Sequence, residues 1–158
     1  MNFKKQKEEF DIEVSKSDGF KIMEKVTSIV NEIGNSFLEM NGGELAEAQS
    51  KLAGYKFYLA DYIGEINREY ESIKLELKHT RSSEWDRITE EIKAKEGKVK
   101  NKEQIENVLV GMTIESQNRQ MLFETLYYKY KLKISSIDSI LTAVTQRIAE
   151  LKRQIEQQ

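Results

Sequence analysis

The chain has 158 residues, no proline and no cysteine, and a formal charge of −2 with 33% charged residues. That length allows one domain of ordinary size. The missing cysteine excludes a disulfide framework, a thiolate metal site and a cysteine nucleophile, so a reducing, cytoplasmic setting is expected.

Without proline the commonest helix breaker is gone, and long uninterrupted helices are expected. The opening MNFKKQKEEF is too polar for a signal peptide. No apolar run approaches the roughly 18 residues that a membrane span needs, so no membrane association is expected. The net charge argues against a protein that coats DNA by overall basicity. Phosphate binding depends on the local field, however, so the distribution of charge decides.

Residues 1–18 mix both charges with scattered apolar side chains, and Phe10, Ile12 and Val14 alternate as in a short extended segment. The stretch reads as a flexible tail that orders, if at all, on a partner. Residues 19–158 read as a single helical domain. Met23, Val26, Val30, Ile33, Phe37 and Met40 alternate by three and four, which predicts a first helix over 20–40. Ser17 or Asp18 can cap it, and Asn41-Gly42-Gly43 can end it.

A second helix is predicted over 44–95. Leu45, Leu52, Leu59, Ile66 and Ile73 fall every seven residues, with Ala48, Tyr55 and Tyr62 between them. Beyond Glu69 the apolar load moves to Tyr70 and Leu77, as in a helix that changes packing partner. His79–Ser83 is poor in helix formers, which predicts either a hinge there or one long, loosely packed helix. Trp85, Ile88 and Ile92 then resume the spacing.

KAKEGKVKNK, from Lys93 to Lys102, sets five lysines against one glutamate. Asn101 with Gln104 can form a capping box that starts a third helix over 102–156. Phe123, Tyr127, Tyr130, Ile134, Ile137, Leu141, Val144, Ile148, Leu151 and Ile155 alternate by four and three without a polar interruption. Leu126 and Ile140 widen this stripe beyond what a simple dimer needs, which favours a bundle or higher oligomer. The two long helices, near 75 Å each at roughly 1.5 Å per residue, should fold back on each other. The fold expected is therefore all-α: an elongated antiparallel helical hairpin with a shorter N-terminal helix, coiled-coil-like, assembled as a homo-oligomer. Ile134, Ile137, Leu141, Val144, Ile148, Leu151 and Ile155 are its candidate oligomerisation seam, since large apolar faces are rarely left unpaired.

Catalytic chemistry is not legible. The lone histidine, His79, cannot build a histidine metal site, and no phosphate loop, nucleophile motif or metal-ligand spacing occurs. No enzyme activity, metal or cofactor is expected. Gly34, Gly54, Gly64 and Gly111 lie within helical patterns, where small residues permit close helix approach.

Three basic patches remain. The first is the tip itself: Lys93, Lys95, Lys98, Lys100 and Lys102. The second is Lys74, Lys78, Arg81 and Arg87, with Trp85 as either a base-stacking ring or a buried anchor. The third is LYYKYKLK, Leu126–Lys133, where the seam positions make Tyr127 and Tyr130 core residues and leave Tyr128 outward. A solvated turn explains the tip as readily as a phosphate grip does. Repetition in an oligomer would give the tip the electrostatic track that single-strand binding requires.

The order of parts resembles UvsY-like recombination mediators of tailed phages. KLAGYKFYLADYIGEINREYE, a central basic break, a lysine-rich tract and SSIDSILTAVTQRIAELK carry the likeness, over roughly Leu45–Lys152. Lys78-His79-Thr80-Arg81 followed by Trp85 is the nearest counterpart of the family's basic pair with following aromatics, at wider spacing and without the tyrosines. The resemblance implies a ring-like homo-oligomer that binds single-stranded DNA. It also implies an accessory role in which the protein helps a RecA-type recombinase displace a single-strand-binding protein, in a host cytoplasm. The alternative is a coiled-coil structural or adaptor protein whose partner is another helix, with an inert basic tip.

Overall fold

The computed structural model describes residues 2–97 and 102–157. Among them four helices and no strand occur: α1 (Phe3–Lys16), α2 (Asp18–Ser36), α3 (Gly42–Glu96) and α4 (Lys102–Glu156). The protein is all-α.

The first helix corrects the expected tail. Phe10 and Val14 are four residues apart and share a helix face, whereas Ile12 points outward. Phe10 is buried and meets the Phe123 ring edge-on at a centroid distance of 5.0 Å. Asn2 caps the start by accepting from the Lys4 N–H at 3.2 Å.

Ser17 is the single residue between α1 and α2. Its extended backbone (φ −69°, ψ 151°) and its side chain, which accepts from the Phe20 N–H at 3.2 Å, make it the N-cap of α2. That helix ends at Ser36, short of the expected Met40. Asn41 does not end α2 but begins α3. Its Oδ1 accepts from the N–H groups of Gly43 (2.9 Å) and Glu44 (3.0 Å), while the Glu44 carboxylate accepts from the Asn41 N–H at 2.8 Å. This reciprocal cap satisfies three backbone donors that the helix itself cannot.

Along α3 the heptad positions Leu45, Leu52, Leu59, Ile66 and Ile73 are all buried. The burial then shifts to Leu77, and Tyr70 is half-buried. The helix runs unbroken through His79–Ser83, so that stretch is loosely packed helix and not a hinge. Only Thr80 within it is even half-buried.

The chain separates into two compact units where a single domain over 19–158 was expected. The first comprises Met1–Phe10 and Ile66–Leu126. Within it α3 and α4 run antiparallel, as the Tyr70 hydroxyl donating to Glu124 (3.3 Å) and Arg81 donating to Glu106 (2.5 Å) show. Ile88, Ile105 and Leu109 form a cluster, with Trp85 and Ile92 packed against it. The start of α1 lies along α4, and the Asn118 amide donates to Gln6 Oε1 at 2.7 Å.

The second unit comprises Asp11–Glu65 and Tyr127–Gln158. There α3 and α4 are again antiparallel: Lys56 meets Asp138 at 2.5 Å, and the Gln49 amide donates to the Thr145 hydroxyl at 2.6 Å. Tyr62 meets Tyr130 edge-on at 5.4 Å. Helix α2 packs close because residue 19 is glycine; a Cβ there would fall 2.1 Å from the Tyr62 ring. No such approach occurs at Gly34, Gly54, Gly64 or Gly111, where a Cβ would meet nothing within 4 Å, contrary to expectation. Among the described residues no helix is long and apolar enough to cross a membrane.

Candidate nucleic-acid interface

Helix α3 ends in a turn carrying Lys93 and Lys95, where the aligned peptide dipoles favour cations. Gly97 closes that turn. It is the one described residue with positive φ (73°), and its N–H donates to the Lys93 carbonyl at 2.9 Å. Only glycine takes such a conformation without a Cβ clash. Beside it the Gln104 amide donates to the Glu96 carboxylate at 3.1 Å, tying the end of α3 to the start of α4. The one glutamate of the lysine-rich stretch is therefore engaged within the protein. Lys93, Lys95 and Lys102 are exposed, and none of them makes an ion pair among the described residues. Lys98, Lys100 and Asn101, the expected cap of α4, lie outside the described residues.

The second patch is different. Each of three of its cations has an acidic partner of its own. Lys74 meets Glu71 at 3.3 Å and lies 5.5 Å from the Tyr70 ring centroid. Arg81 meets Glu106 across the hairpin. Arg87 bridges Glu84, to which its Nε donates at 2.6 Å, and Glu91 one turn on. Hydrogen bonding to Glu71, and then its charge, raises the Lys74 pKa; hydrogen bonding to Glu84, and then its charge, does the same at Arg87. Such exposed pairs contribute little stability, but they do cancel the local field. Lys78 alone of this patch is exposed and without an ion pair among the described residues.

Trp85 is half-buried against Ile88, Ile105 and Leu109. A groove of about 340 Å³ beside it is lined by Arg81, Ser82, Trp85, Asp86, Glu106 and Leu109. Its two carboxylates oppose a phosphate there. The tryptophan packs on the Ile88–Ile105–Leu109 cluster and stays partly exposed.

In the third patch Tyr130 is buried, Tyr127 half-buried and Tyr128 exposed. Lys131 lies 5.7 Å from the Tyr127 ring centroid. Burial, and then the neighbouring Tyr62, pushes the Tyr130 hydroxyl up to about 12. This is a core residue with a lysine fringe.

The candidate seam on α4 is divided. Ile137 and Val144 are fully buried within the chain itself and cannot also face a partner. Ile134, Leu141, Ile148 and Leu151 are half-buried, and Ile155 is exposed.

Sequence reasoning missed a second kind of surface. Val108, Val110, Met112, Ile114 and Met121 are all exposed on α4, and Phe57, Tyr58 and Leu75 on α3. The signal was present in IENVLVGMTI, which is apolar on every side of the helix and not along one stripe. Among the described residues no group of three or more histidine, cysteine, aspartate or glutamate side chains could hold a metal ion. Comparison with known family models, with curated proteins and with solved structures finds nothing that matches this chain.

Proposed function

We propose that the protein is a non-enzymatic accessory factor that binds single-stranded DNA as a homo-oligomer and helps to load a RecA-type recombinase against a single-strand-binding protein. The observation that carries this reading is the end of α3 and start of α4. There Lys93, Lys95 and Lys102 are exposed and make no ion pair among the described residues, while Glu96 is held by Gln104. Together with Lys98 and Lys100 of the sequence, they make a short cationic track suited to a sugar–phosphate backbone and blind to its bases. Repetition in an oligomer multiplies that track. The half-buried Ile134, Leu141, Ile148 and Leu151 supply apolar surface for a coiled-coil contact between copies.

The decisive test titrates labelled oligo-dT at two salt concentrations. Binding should weaken steeply with salt, since neutralised phosphates release counterions. Lys93→Glu, Lys95→Glu and Lys102→Glu together should abolish it with the helical signal intact. Absence of binding at low salt by the folded protein refutes the reading.

A second reading has its own support. The exposed Val108, Val110, Met112, Ile114 and Met121 suit an adaptor that binds a partner helix. That reading predicts no salt-dependent DNA binding and no effect of the three lysine replacements.

A further inference from the structure

Helix α1 is poorly equipped to exist alone. It has 14 residues, and helices shorter than about 12–15 residues are marginal in water. Its charges oppose the helix dipole. Lys4 and Lys5 occupy the first turn, which has no acidic residue, and Asp11 and Glu13 lie towards the C-terminal end; Lys16 alone is favourably placed. Of its apolar side chains, Phe3 and Ile12 are exposed, Val14 is half-buried and only Phe10 is buried.

Contacts to α4 in the first unit hold its N-terminal part. Phe10 meets Phe123 edge-on, and Gln6 accepts from Asn118. Within α4 the Arg119 guanidinium also lies 5.6 Å from the Phe123 ring centroid. The α3–α4 pairing of this unit has its own cluster in Ile88, Ile105 and Leu109, to which α1 does not contribute.

We infer that α1 is a latch anchored by one aromatic side chain, which docks on α4 and releases as a unit while the α3–α4 core of the first unit stays folded. Closed, it covers Phe123; open, it frees both rings and melts into a mixed-charge strand. The device switches an aromatic surface on α4 on and off without cost to the core beneath it.

Hydrogen exchange of the full chain, read by mass spectrometry, tests this. In the wild type, residues 3–16 should exchange as one block and faster than Leu122–Tyr130. Phe10→Ala should speed exchange across all of 3–16 by at least about tenfold, leaving Leu122–Tyr130 protected. Lys4→Glu combined with Glu13→Lys, which aligns the charges with the dipole, should slow it. The latch is refuted if wild-type α1 is as protected as α4, if Phe10→Ala acts only on its immediate neighbours, or if it strips protection from α4 as well.

Discussion

The Tyr62 hydroxyl of α3 donates a 2.8 Å hydrogen bond to the Ser17 hydroxyl, which itself donates to the Val14 carbonyl (2.6 Å) and accepts from the Phe20 N–H. One serine oxygen therefore closes α1, caps α2 and fastens the junction to α3, using its single donor and both acceptor sites. Ser17→Ala should cost about 1–2 kcal/mol and Tyr62→Phe about 1 kcal/mol. The double variant should cost less than the sum, because both remove the same bond. Gly19→Ala should cost about 1–3 kcal/mol by forcing the Tyr62 ring aside. Urea midpoints measure all four, and strict additivity would show that the bond contributes nothing.

The heptad leucines and the polar layer of the first unit should behave differently. Leu59→Ala, at a fully buried position, should cost about 2–5 kcal/mol. Thr113 is also buried, but its hydroxyl donates to the Leu109 carbonyl and accepts from the Gln117 amide. Thr113→Val keeps the shape and leaves Gln117 half-exposed to water, so a loss of about 1 kcal/mol or less is expected. A larger loss in thermal unfolding would mean that this layer is a stabilising network in its own right.

Tyr130 predicts a pH dependence at the alkaline end. Its folded pKa is raised to about 12, against roughly 10 in an unfolded chain. The unfolded state thus releases its proton first. The stability from burying the neutral phenol is complete below about pH 10 and is lost as pH rises from there towards 12. Tyr130→Phe should flatten the stability profile in that window. Phenolate absorbance should show a tyrosine transition near pH 12 that the variant lacks. An unchanged profile in the variant would contradict the assignment.

Paired and unpaired cations should separate in any measurement of binding to single-stranded DNA. Lys95→Ala removes an uncompensated charge, whereas Arg87→Ala leaves Glu84 and Glu91 without their partner. The first should lower the salt slope by about one counterion. The second should weaken binding by introducing net negative charge, as Glu84→Gln with Glu91→Gln should strengthen it. Equal effects of Lys95→Ala and Arg87→Ala on the slope would place Arg87 on a phosphate.

What could be read from the sequence follows the range of the interactions. Leu45, Leu52 and Leu59 announce themselves because a seven-residue period repeats on one face of one helix. Asn41-Gly42-Gly43 was ambiguous, since asparagine and glycine can both end one helix and open the next; Glu44, three residues after Asn41, was the clue to opening. The pairing of Arg87 with Glu91 sits at the i,i+4 spacing and was visible. The local pairs of Lys74 with Glu71 and Arg87 with Glu84 also lay within reach of the spacing rule, but were not weighed when these cations were counted as phosphate contacts. The pairing of Arg81 with Glu106, 25 residues apart, was not visible. Helix α1 was illegible for the same reason at greater range. Its order depends on Phe123 and Asn118, and the Gln6–Asn118 bond spans 112 residues.

Trp85 is the protein's only tryptophan, and it sits half-buried on the Ile88–Ile105–Leu109 cluster, two turns before the lysines at the end of α3. The molecule therefore carries an intrinsic fluorophore two helical turns from the lysines proposed to meet its ligand. Excited beyond the absorption of the seven tyrosines, its emission reads out, without labels, any loosening of that cluster.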